Sequence, residues 1–214
     1  MFVPSHYREP DSSWMVDIIR GNPLALMMSN GAAGEPPFAT HLPVIPDPAM
    51  TGDWSERLSE ATLLGHMNRD NPQWQALEDG AVVRIAFSGP HAYVSPTLYG
   101  VTPAAPTWNF TSVHVRGVVE RIPSTEETLE VVKSTVRAFE ADFGEGWDMA
   151  ASIDYFRKIV PGVGAFRIMV RNVDGMFKLS QEQQPEVRDR VRKSFAGREC
   201  GRHQETAAYM SRLP

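Results

Sequence analysis

Only one cysteine, Cys200, occurs in the 214 residues. No disulfide can form within the chain, and a reducing cytoplasm is the expected setting. No apolar run approaches the roughly 20 residues that cross a bilayer as a helix. The opening MFVPSHYREPDSSW lacks the basic-then-apolar layout of a signal peptide. Positive charge is short as well: 21 Lys and Arg against 26 Asp and Glu leave a net charge of −5. That balance gives no pull towards nucleic acid, which needs a basic face. The glycine-rich loops GxGxxG and GxxxxGK[ST] are missing. So are zinc-type Cys/His spacings, the GxSxG elbow, and a helix-turn-helix with a basic second helix. What remains as chemical capital is six histidines and several ring-bearing segments.

Short elements follow one another closely. Ser12-Ser13 can cap a helix from Trp14 to Gly21, which Asn22-Pro23 stops. Leu24 to Ser29, an Asn30-Gly31 turn and Phe38 to Ile45 form a hairpin. Strands are expected at 61–67, 81–88 and 108–122, with a short extended piece at 91–95 after a break at Gly89-Pro90. Apolar positions in 108–122 change phase near Thr111-Ser112, which implies a bulge there. Pro72 to Leu77 is a short helix. Ser124-Thr125-Glu126-Glu127 is a capping box for a helix reaching Asp142, with Leu129, Val132, Val136 and Phe139 at helical spacing. A helix is expected at 151–159, then a hairpin of 163–173 and 176–179 around Asp174-Gly175. Helices close the chain at 185–195 and 204–210. Most strands lack the crossover helix that a parallel sheet requires. The fold class is therefore mainly β (α+β): a small antiparallel barrel with peripheral helices. Residues 1–195 form the barrel domain and 196–214 a helical tail.

Three segments stand out chemically. GHMNRDNPQW, residues 65–74, ends a strand on His66 and follows it with Arg69 and Trp74. A neutral imidazole is a common ligand for a transition metal or haem iron, an arginine grips a phosphate or carboxylate, and a tryptophan makes a flat wall. Each has a plainer reading beside it: a histidine bonded to a loop carbonyl, and a tryptophan anchoring the helix after Pro72. GPHAYVSP, residues 89–96, puts His91 and Tyr93 on one face, and APTWNF, 105–110, carries Trp108. Thr40 and His41 lie mid-strand on opposite faces, and Lys178 is either a site cation or a solvated one.

FATHLP (38–43), GHMNRDNPQW (65–74), GPHAYVSPTLY (89–99), PTWNFTSVHVRG (106–117) and FKLSQ (177–181), after the opening MFVPSHYREPD, occur in this order in the PaiB-like family. That family is described as FMN-binding negative transcriptional regulators, and the resemblance covers the chain to about residue 195. It implies a flavin-reductase-like split β-barrel, a homodimer, and cofactor sites at the dimer interface. The sequence also resembles the branch of this family that uses haem b, the piperazate synthases. Leu98 stands where the PaiB type carries a tryptophan, Pro103-Ala104-Ala105 precedes Pro106, and the tail CGRHQETAAYMSRLP extends past the common end.

The branch implies a cyclase. It closes N5-hydroxy-L-ornithine to L-piperazic acid by forming a nitrogen–nitrogen bond with loss of water. A Lewis-acidic iron polarises the N–O bond, an acid protonates the departing oxygen, and a base keeps the amine neutral. On this resemblance His66 is the iron ligand and Arg69 or Lys178 meets a propionate. Trp74 and Trp108 wall the ring, Thr40 and His41 contact the cofactor, Tyr93 and His91 handle protons, and Tyr7 and Arg8 reach the partner subunit's pocket. The alternative is an FMN-binding sensor, regulator or reductase in which the same cations hold the phosphate. Neither reading expects nucleic acid or membrane as a partner.

Overall fold

A computed structural model describes residues 1–213. Six strands close into a barrel in the order β1-β2-β3-β6-β5-β4. They are β1 Leu24–Ser29, β2 Phe38–Pro46, β3 Thr62–Asn68, β4 Val82–Val94, β5 Thr107–Ile122 and β6 Val163–Lys178. Helices α1 Ser13–Gly21, α2 Pro72–Ala76, α3 Thr125–Asp142, α4 Ile153–Ile159, α5 Pro185–Ala196 and α6 Gly201–Ser211 lie between and after them. This is the flavin-reductase-like split barrel that the sequence leads one to expect. Among the described residues no helix is long and apolar enough to cross a membrane.

The β1–β2 hairpin runs in antiparallel register from Leu24 opposite Pro43 to Ser29 opposite Phe38. β2 then pairs β3 through Val44 and Gly65, and β3 pairs β6 through His66 and Ala165. Ser124 caps α3 by accepting the Glu127 N–H at 3.3 Å. α3 packs Val131 with Ile45, Leu64, Ile122 and Ala165, and Phe139 lies against that cluster.

Three local expectations are corrected. β6 is one continuous strand, and Asp174-Gly175 makes no turn. A two-residue turn of that kind needs both residues at positive φ, and neither has it. Gly175 serves close packing instead: a Cβ there would lie 2.9 Å from the side chains of Met15 and Phe177. β4 likewise runs unbroken through Gly89-Pro90. Its buried positions shift by one residue there, from Phe87 and Gly89 to Pro90, Ala92 and Val94. The extra residue of a bulge has this effect, so this phase change lies in β4 and not near Thr111-Ser112 in β5. β5 keeps one inward phase through Asn109, Thr111, Val113 and Val115, leaving Trp108 outside. Apolar patterning misleads at this point because the inward residue is polar. Asn109 is fully buried, and its amide nitrogen donates to the Ser180 hydroxyl at 3.0 Å.

The chain divides into two compact units. The first comprises residues 1–18, 88–113 and 174 onward, and the second 19–87 and 114–173. Phe177, Phe195, Leu179 and Val191 are buried in the first; Phe87, Phe166, Met27 and Ile85 are buried in the second.

Candidate functional site

The expected site residues fall into two sets, one in each unit. Thr40, His41, His66, Arg69 and Trp74 belong to the second unit. Tyr7, Arg8, His91, Tyr93, Trp108 and Lys178 belong to the first.

In the second unit, β2 lies beside β3, and their far ends bound an open groove of about 580 Å³. Thr40, His41, His66, Asn68, Asp70 and Asn71 supply its polar side chains, and Leu42, Pro43, Met67 and Val163 its apolar surface. His66 is half-buried. Its Nδ1 is fully buried and has no hydrogen-bond partner. Burial pushes the ring pKa below the ordinary 6.5, so the imidazole is neutral at pH 7. His41 is exposed on the groove wall. Asn71 caps α2 by accepting the Gln73 N–H at 2.9 Å, and its own amide donates to Thr40 Oγ1 at 3.1 Å. Asp70 is the one carboxylate on the lining. Asn71 was missed as a site residue, although Asn-Pro marks a helix cap in the sequence; only the fold brings it to Thr40.

Three neighbouring residues do other work. Gly65 is closed off by its own core: a Cβ there would meet the Phe166 ring at 2.7 Å. Arg69 Nε donates to the Val163 carbonyl at 2.8 Å, leaving its two terminal nitrogens without an acceptor among the described residues. Trp74 is 4% exposed and does not face the groove. The Arg121 guanidinium sits 4.2 Å from its ring centroid, and Gly164 packs against the indole. The plainer reading of Trp74, a core anchor, is the one its position matches.

In the first unit, Trp108 is 52% exposed, with Tyr93 edge-on at 5.8 Å and His91 at 6.0 Å. His91 has both ring nitrogens engaged, Nε2 with Arg202 at 3.2 Å and Nδ1 with the Gly89 carbonyl at 3.3 Å. An arginine can only donate, so Nε2 accepts and the ring proton sits on Nδ1. A proton-shuttling role would require breaking one of these bonds. Lys178 donates to the Thr107 hydroxyl, and its ammonium lies 5.7 Å from the Tyr7 ring. Arg8 is exposed.

Tyr7 lies against its own chain. Burial, then the charge of Glu182 and a hydrogen bond to it, raise its pKa from 10.0 to about 12. The folded state therefore holds this proton more tightly than the unfolded chain. The resulting stability is complete below about pH 10 and is lost as pH rises towards 12. A spectroscopic phenol titration is expected to show a late step that Tyr7→Phe removes. A profile unchanged by that substitution contradicts the assignment.

Among the described residues there is no cluster of three or more His, Cys, Asp or Glu that could hold a metal ion.

Residues 1–172 match the family described as "Putative FMN-binding domain". The chain is 25% identical over 185 residues to "Protease synthase and sporulation protein PAI 2" of Bacillus subtilis, covering 86% of this chain and 83% of that one. Among solved structures it is similar to the FAD and haem binding protein of Mycobacterium smegmatis, with a TM-score of 0.55 at 14% identity over 80% of this chain and 73% of that one. A conserved hypothetical protein of Mycobacterium tuberculosis gives a TM-score of 0.55 at 12% identity, covering 86% and 94%. At these identities the two structures establish the fold alone.

Proposed function

The chain belongs to the "Putative FMN-binding domain" family, and on that premise we propose that it binds FMN in the groove around His66, His41 and the Thr40–Asn71 pair. The observation that carries this reading is the groove itself. At about 580 Å³ it falls within the range of small-molecule sites. It joins an apolar floor suited to a flat ring with hydroxyl, amide and imidazole groups suited to a ribityl chain and phosphate. Two of the motifs shared with PaiB-like proteins, FATHLP and GHMNRDNPQW, build it.

FMN, when bound, supplies electron or hydride transfer. The residues of the chain bind and orient it. Leu42, Pro43 and Val163 shield the ring, and the Asn71 amide fixes the Thr40 hydroxyl. Arg69 is not on the groove lining, so the phosphate end falls to His41 and the Thr40–Asn71 pair. The protein then acts as a flavin-binding sensor or reductase. The proposal includes a homodimer, and the exposed rings of Trp108 and Tyr93 support a face that a partner covers.

A second reading rests on His66: haem b ligated by its neutral ring, with the chain acting as the cyclase of N5-hydroxy-L-ornithine. Burial keeps this imidazole in the ligating form. An absorption spectrum of protein expressed with added haem precursor separates the two. A flavin band with fluorescence supports the first reading. A Soret band lost in His66→Ala overturns it and makes turnover of the hydroxyornithine the next assay.

A further inference from the structure

A second cavity, of about 540 Å³, lies in the second unit and plays no part in either reading. It is bounded by the end of α1, the exit of β2, the loop up to Trp54 and one face of α3. Its floor is apolar: Val44 is fully buried, Ile45 is 4% exposed and Trp54 is 8% exposed. Phe139 from α3 adds a further apolar surface. A cavity of this size beside a buried tryptophan favours a ligand with a substantial apolar body.

The charges on the lining are unequal in their commitments. Arg20 sits 5.6 Å from the Trp54 ring centroid, and Asp53 lies within its electrostatic reach. The Asp47 carboxylate accepts the Ala49 N–H at 2.9 Å, which ties it to its own turn. Asp142 is exposed near the end of α3. Arg137 has no hydrogen bond or ion pair among the described residues. Ser134 precedes it by three positions on the same helix, so both side chains share the α3 face that lines the cavity. A free guanidinium beside a hydroxyl is suited to a carboxylate.

We propose that this cavity is a second ligand site, taking a small amphipathic carboxylate. Its apolar body packs on Val44, Ile45 and Trp54, and its head group is held by Arg137 and Ser134. The site is separate from the groove residues, so it stands whether or not FMN binds there.

Fluorescence titration of the full chain with anilinonaphthalenesulfonate, an apolar anion, tests this. One saturable site is expected, displaced by octanoate. Arg137→Gln is expected to weaken the sulfonate about tenfold, the scale of one charge-assisted hydrogen bond, and Arg137→Glu to weaken it further. Neutral phenylnaphthylamine is expected to bind both variants as it binds the parent. Arg137 is exposed and makes no partner contact, so both variants are expected to fold, which a thermal melt checks. Absence of saturable binding, or binding indifferent to both substitutions, overturns the proposal. Equal loss of the neutral probe overturns the head-group assignment. FMN binding, read in parallel, is expected to be unchanged in these variants.

Discussion

Trp74→Ala is expected to destabilise the protein by about 4 kcal/mol, the usual cost of truncating a buried tryptophan. For a chain of this size that is a drop of about 10 °C in melting temperature. The indole is 4% exposed. It carries the Arg121 guanidinium at 4.2 Å and lies 6.3 Å from the Phe166 ring centroid. Truncation removes a large apolar surface and leaves a void that the barrel wall cannot easily close. The Arg121 backbone N–H donates to Asp79 at 2.5 Å, and its Nη1 donates to the Leu77 carbonyl at 3.1 Å, at the end of α2. Trp74→Phe is expected to retain most of the stability. The same truncation loosens α2, which Asn71 caps, so cofactor affinity is expected to fall as well. Thermal and urea melts measure the first effect. A loss below about 1 kcal/mol, typical of surface positions, contradicts the core assignment of this ring.

The second large effect is electrostatic and leaves the fold alone. His41→Glu is expected to weaken FMN binding about 100-fold, while riboflavin, which lacks the phosphate, binds as before. A like charge placed against a phosphate costs several kcal/mol. The groove already holds one carboxylate, Asp70, and His41 on its wall is exposed. Because the side chain is exposed, the melting temperature is expected to be unchanged. Parallel titrations with the two flavins measure this. Equal loss of both flavins, or of neither, places the phosphate away from His41.

Much of the scaffold was legible where local chemistry and tertiary packing agree. The two apolar runs of the first hairpin pair as expected, although the chain turns at Ala32–Glu35 and not at Asn30-Gly31, and Ser124 with Glu127 marked the start of α3. The failures share one cause: a local signal was overruled by a neighbour that the sequence does not reveal. Asp174-Gly175 resembles a turn, yet the glycine is there because Met15 and Phe177 crowd it. Trp108 and Phe110 resemble an inward face, yet the buried Asn109–Ser180 hydrogen bond gives that face to a polar residue.

The same limit applies to the site. His66 and His41 could be named as candidates one by one. That they share a groove follows from β2 pairing with β3, a register that no single segment encodes. Trp74 follows His66 so closely that it was grouped with it, but the cap at Asn71 starts α2, whose indole is buried in the core. Tyr7 and Lys178 come together in the first unit although 171 positions separate them in the sequence.

The account stands on FMN occupying the groove between Thr40, His41, His66 and Asn71, and a fluorescence titration of the purified chain with FMN tests this most directly. The predicted result is saturable quenching at one flavin per chain, weakened strongly in His41→Glu with no change in melting temperature. No quenching, or quenching untouched by both His41→Glu and His66→Ala, would contradict the assignment of the groove.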